Sequence, residues 1–144
     1  MKNYKEIMLK TAGVFAMLVG LLLMFGGFYY LSIFLAPENI YNPNYQNQIV
    51  TMKVLTAYSF YVMVFGIVNC VAGFIGFVNA DEADNNVKCR NYGIVLFVMS
   101  IVNAVGMAVF CNLSVFVIAA IIVVSLLADT VYMVAAILKM KDKQ

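Results

Sequence analysis

Four long apolar runs, parted by three short polar stretches, set the pattern of this chain. Residues 11–36, 54–79 and 92–111 contain no charged side chain, and residues 113–138 contain one, Asp129. A helix of about 20 apolar residues crosses the ~30 Å hydrocarbon core of a bilayer, and each run is long enough to do so. The pattern predicts an all-α integral membrane protein: one domain over residues 1–144, folded as a four-transmembrane-helix antiparallel bundle. The connections are residues 37–53, residues 80–91 and, between the last two runs, little more than Asn112, so those runs form a tight hairpin. Residues 1–10 read as a polar, basic lead-in. The first run is too long for the apolar part of a signal peptide, and Phe34-Leu35-Ala36 lacks the small residue that a cleavage site needs.

Small residues recur inside the runs at a fixed interval. Gly13, Gly20 and Gly27 repeat every seven positions in the first, and Ser59, Gly66 and Gly73 repeat every seven in the second. Seven residues are close to two helical turns, so each set falls on one face. In lipid, where apolar side chains gain nothing by leaving the solvent, such small-residue stripes let helix backbones approach. These six, with Gly106 in the third run, are the expected packing residues.

Composition agrees with the pattern. The chain is 65% hydrophobic and 11% charged, with a mean hydropathy of +0.95. Soluble domains are nearer half apolar and a quarter charged. The net charge of +2 forms no patch and gives no reason to expect a nucleic-acid partner. The distribution of that charge is more informative. With the first residues inside, Lys2, Lys5, Lys10, Lys88, Arg90, Lys139, Lys141 and Lys143 face the cytoplasm and Lys53 alone faces out. Such an excess predicts a multi-pass protein of the plasma or inner membrane, N-in and C-in. Tyr29, Tyr30, Tyr58 and Tyr61 flank the first connection and fit an aromatic belt at the outer interface, with Tyr41 and Tyr45 beside it.

The chemistry on offer is sparse. There is no His, hence no common general base or metal ligand. Cys70, Cys89 and Cys111 map to three different depths and cannot bridge; two read as apolar fillers and Cys89 as an exposed thiol at the inner face. No metal, cofactor or catalytic set is predicted, and the chain is not expected to be an enzyme.

The exception is a layer of polar residues at mid-depth. Asp129 lies ten residues before Lys139, Asn69 ten before Asn79, and Asn103 eleven after Tyr92. At ~1.5 Å per residue all three are expected ~15–17 Å from the inner boundary. Ser125 and Tyr132 share the helix stripe of Asp129. Gly66-Ile-Val-Asn69-Cys-Val71 and Ser100-Ile-Val-Asn103-Ala-Val105 also match across two oppositely running helices, as in a small inverted repeat. Amides and acids in hydrocarbon must find partners, and no Lys or Arg stands at this depth, so Asp129 is expected to carry a proton rather than a charge.

Family motifs are missing. The first connection lacks the paired cysteines of tetraspanins and claudins, there is no C-x-x-C of quinone-linked thiol oxidoreductases, and the lone acid sits in the fourth run rather than the first, unlike small multidrug exporters. The expected function is helix association in the bilayer, as an accessory or scaffold subunit of another membrane protein or as a homo-oligomer. The alternative is a small proton- or cation-coupled transporter or channel that uses Asp129, completed by Asn69 and Asn103.

Overall fold

The computed structural model describes residues 2–35, 49–81, 86–110 and 115–140. Within them it contains four helices: α1 (Lys2–Phe34), α2 (Ile49–Val78), α3 (Asn86–Phe110) and α4 (Val115–Met140). Each holds a stretch long and apolar enough to cross a membrane: Tyr4–Ser32, Lys53–Val78, Val87–Val109 and Ala119–Lys139. Tyr41, Tyr45 and Cys111 lie outside the described residues.

The helices overrun the apolar runs. Lys2–Lys10, read as a lead-in, is the start of α1, and Val87–Asn91, read as connection, is the first part of α3. Polarity ends a membrane span but need not end a helix, and neither Lys2–Lys10 nor residues 86–91 contain a Pro or Gly to interrupt one. The extra turns also pack. Leu9 and Cys89 are fully buried, and the Lys10 ammonium pairs with the Asp81 carboxylate at 2.7 Å. That pair is exposed and screened, so it contributes at most about 1 kcal/mol.

Neighbours in the bundle are α1–α2, α2–α3, α3–α4 and α4–α1, and the largest interface is α1–α2. That interface is built from the two stripes. Gly13 lies on Gly73, Gly20 on Gly66, and Gly27 on Ser59 and Met63. Each step of seven along α1 is matched by a step of seven back along α2, so the helices are antiparallel and in constant register. A repeat of seven keeps one seam in contact only if the helices wind gently around each other in a left-handed sense. The approach is close enough that a methyl group has no place. A Cβ built on Gly13 would lie 2.6 Å from the Gly73 carbonyl oxygen, and one on Gly20 would lie 2.6 Å from the Gly66 carbonyl oxygen. Ser59 fits the seam by donating its hydroxyl to the Leu55 carbonyl of its own helix at 2.9 Å, which folds the side chain down.

The remaining core is made of small and medium side chains, among them Ala12, Ala16, Ala72, Ala128, Ala135 and Ala136, with Phe65, Leu96 and Tyr132 as the large members. Outward faces carry Leu22, Phe28, Val98, Val105 and Leu127, each more than half exposed. In water such a surface would aggregate.

Gly26 gives the internal control for the seam, since nothing lies within 4 Å of a Cβ placed there. Gly20→Ala and Gly66→Ala are expected to cost ~1–3 kcal/mol through overpacking. Gly26→Ala is expected to be neutral or mildly stabilising, because Ala is the better helix former. Unfolding in mixed detergent micelles reads the order directly, and equal behaviour of the three variants would show that the seam is not a true contact.

Candidate functional site

The register of α2 against α4 locates the site. The Tyr132 hydroxyl donates to the Ala72 carbonyl at 2.7 Å, and the Lys139 ammonium donates to the Asn79 carbonyl at 3.0 Å and to that of Ala80. Tyr132 and Ala72 are sixty positions apart, and so are Lys139 and Asn79. The two helices therefore run parallel across the bundle with one fixed offset. Asp129 and Asn69 are also sixty positions apart and stand at one level.

Both are fully buried. The Asn69 amide nitrogen donates to the Phe65 carbonyl of its own helix at 3.3 Å. A carbonyl accepts only, so the nitrogen must face it, and the amide oxygen points away. Among the described residues that oxygen has no partner, and neither oxygen of the Asp129 carboxyl has one. On the third side, Ser100 and Ser125 lie with their hydroxyl oxygens 3.2 Å apart, both buried. Ser125 stands one helical turn before Asp129 on α4, which places the serine pair on the same stripe as the carboxyl.

The three orphaned atoms are all acceptors. Acceptors cannot satisfy each other, and leaving each buried and unpaired costs ~1–3 kcal/mol. The Ser100–Ser125 pair has two hydroxyl hydrogens and uses one of them between its oxygens, so it can offer one to these acceptors but not serve all three. A proton on Asp129 supplies one donor, and a bound cation would answer all three.

Tyr132 closes the site towards the Lys139 end. Its ring occupies a slot made by missing side chains: a Cβ on Gly76 would run into the ring, and one on Gly93 would lie 3.4 Å from it. Both glycines lie off the heptad stripes, and that was the available signal. A buried Tyr at the centre of a bundle needs glycines on the facing helices.

Asn103 stands elsewhere. It is seventeen residues into α3 from Asn86, whereas Asp129 is eleven residues before Met140 and Asn69 nine before Val78. At ~1.5 Å per residue these are ~26, ~17 and ~14 Å from the helix ends that lie together. Counting depth from Tyr92 omits the six residues by which α3 begins earlier. At its own level Asn103 is buried, and both its side-chain and backbone oxygens accept from the Tyr58 hydroxyl at 3.0 Å. The Tyr58 ring lies where a Gly106 side chain would otherwise be. Tyr61 donates to the Met99 carbonyl at 2.8 Å. These two tyrosines, expected in the interfacial belt, instead turn into the α2–α3 seam, stacked with ring centroids 6.3 Å apart.

Cys89, expected to be exposed, is fully buried in the first turns of α3, because that segment is helix and packs. Cys70 is half-buried, with its thiol donating to the Met17 carbonyl at 3.6 Å. Both are free thiols. Among the described residues no three of Asp, Glu, His or Cys cluster as metal ligands would.

No family model, known protein or solved structure matches this chain. The site is therefore interpreted from its own chemistry.

The Tyr132 slot makes a graded expectation. Tyr132→Phe keeps the ring and loses the bond to Ala72, for a loss of ~0.5–1.5 kcal/mol. Gly76→Leu fills the slot and displaces the ring, and its loss should exceed that of Tyr132→Phe several-fold. Chemical denaturation of the purified protein in detergent would show the sequence of effects; a Gly76→Leu protein as stable as wild type would refute the slot.

Proposed function

We propose that this is a multi-pass membrane protein with residues 2–10 and 139–144 on the cytoplasmic side, and that the Asp129–Asn69 level is a proton- or cation-binding site on which its activity depends. The observation that carries the reading is the set of three buried acceptors that have no hydrogen-bond partner among the described residues. Ionisable groups inside membrane spans are costly to keep, and where they persist they commonly belong to relays and ion pathways. The reading is also supported by spacing: Asp129 is ten residues before Lys139, which in a spanning helix corresponds to a depth near the bilayer centre, where transporters place their ligands.

Function through association, as a scaffold subunit or homo-oligomer, has less support. It draws on the glycine stripes, and within this chain α1 and α2 already fill them against each other.

Binding at such a site couples to packing. With Asp129 neutral the core can stay dry. With Asp129 charged, water or a cation must enter between the hairpins. The bonds that hold the hairpins together are side-chain donors to main-chain carbonyls, at Tyr58, Tyr61, Tyr132 and Lys139. They are the contacts that must loosen for a ligand to pass.

Two measurements address the proposal. For orientation, Lys88 is exposed and near the start of α3, so Lys88→Cys in a cysteine-free background is the suitable probe. An impermeant maleimide should label it only after the cells are permeabilised, and labelling of intact cells would reverse the assignment. For activity, protein reconstituted in vesicles with a trapped pH-sensitive dye should conduct or exchange protons or a monovalent cation. Asp129→Asn should fold with wild-type stability and abolish the flux, because an amide neither releases a proton nor neutralises a cation. Wild-type vesicles no more permeable than empty ones to protons, sodium or potassium would sink the reading.

A further inference from the structure

The donor set at the Asp129 level is specific enough to name a ligand class. Its polar atoms are the two Asp129 carboxyl oxygens and the Asn69 amide oxygen, with the hydroxyl oxygens of Ser100 and Ser125 about one helical turn further from the Lys139 end, so that α2, α3 and α4 all contribute. We infer that this level binds a dehydrated sodium ion in competition with a proton, an assignment that rests on the ion-site reading above.

The first argument is hardness. Every donor is oxygen, which suits a hard cation, and no imidazole or thiolate stands with them. The nearest thiol in sequence, Cys70, is directed at Met17 of α1. The second is charge. The site has a single acid, so a monovalent ion brings it to neutrality, whereas a divalent ion would leave a net positive charge in hydrocarbon. The third is pre-organisation. The Asn69 amide is fixed with its nitrogen on Phe65 and its oxygen free. Its Cβ lies 2.8 Å from the Cβ position of Gly20, so α1 presses against it and leaves little travel to accommodate a larger ion. Each serine oxygen, while sharing one hydrogen between the pair, retains a lone pair for a cation.

A proton gives the Asp129 carboxyl one donor, which can serve one of the remaining acceptors, whereas a sodium ion can be met by all three, and only one of the two can occupy the carboxyl at a time. No other group nearby confuses the exchange. α1 has no ionisable residue between Lys10 and Tyr29, and α2 has only Cys70 between Tyr61 and Asp81. α3 contributes Lys88, Cys89, Arg90 and Tyr92, all towards the Lys139 end, and α4 contributes Tyr132 and Lys139, whose donors are held by carbonyls of Ala72, Asn79 and Ala80.

The test uses the full chain purified in detergent, unfolded thermally in sodium, potassium or choline chloride at one ionic strength. Sodium should raise the melting temperature saturably, potassium less, and choline not at all. The half-saturating sodium concentration should increase by about tenfold for each unit fall in pH once the proton form dominates, as exclusive competition requires. Infrared difference spectra should show sodium removing the band of a protonated carboxyl, and Asp129→Asn should lack both the band and the sodium response. Ser125→Ala leaves the acid in place and should weaken sodium several-fold while the carboxyl still titrates, which keeps the inference testable if the Asp129 variant does not fold. A carboxyl that titrates with pH but ignores sodium overturns this inference and leaves the proton form of the proposed function standing. A carboxyl that neither titrates nor responds to any cation overturns both.

Discussion

The backbone contact between α1 and α2 is what the other parts of the bundle lean on. Three small-residue pairs hold two helices so close that carbonyl oxygens of one occupy the space of absent side chains on the other. In a hydrocarbon solvent this is the available route to tight association, since apolar side chains gain little by meeting each other instead of lipid. Because the contact repeats every seven residues, it fixes height and rotation together. Asn69 lies three residues from Gly66 and its Cβ packs against Gly20, so its depth follows from the seam, while its bond to the Phe65 carbonyl sets the direction of its amide.

The second hairpin is attached by a different principle. Tyr58, Tyr61, Tyr132 and Lys139 each reach from one hairpin to a main-chain carbonyl on the other. Most of those carbonyls already serve their own helix, so each added bond shares an acceptor and contributes modestly, about 1 kcal/mol. Lys139 differs, because Asn79 and Ala80 follow the last turn of α2, where carbonyls lack helical partners and the helix dipole favours a cation. The bundle thus has one seam of backbone contact and one of side-chain bonds to carbonyls, and Asp129 lies on a helix of the second hairpin.

Much of this was legible in the residues. The heptads Gly13–Gly20–Gly27 and Ser59–Gly66–Gly73 encode their own pairing, and the lone acid in an apolar run announces the level of interest. Periodicity succeeds here because both properties depend on spacing along a single helix. Where helices start is another matter: residues 86–91 are polar but helical, and that shift moved Asn103 out of the Asp129 level and Cys89 into the core. Side chains that cross the bundle were equally hidden. Tyr58 and Tyr61 have the composition of an interfacial belt, and only the glycine at 106 hints that one of them turns inward. The spacing puts Tyr132 on the stripe of Asp129, but its slot is assembled from Gly76 and Gly93 on two other helices, a relation no single-helix pattern contains.

The α1–α2 seam also constrains how this protein can diverge. When a side chain clashes with a side chain, a second substitution can make room. Here the opposing atoms at Gly13 and Gly20 are main-chain atoms of Gly73 and Gly66, which no substitution can shrink. Nor can an insertion be absorbed: one extra residue in α1 turns everything beyond it by about 100° and takes the later glycines off the contact line together. The apolar residues facing outward are free to exchange among themselves, so overall resemblance fades quickly between descendants. The two stripes are the constrained part, so their matched spacing on consecutive helices is the signature to search for in distant kin of this chain.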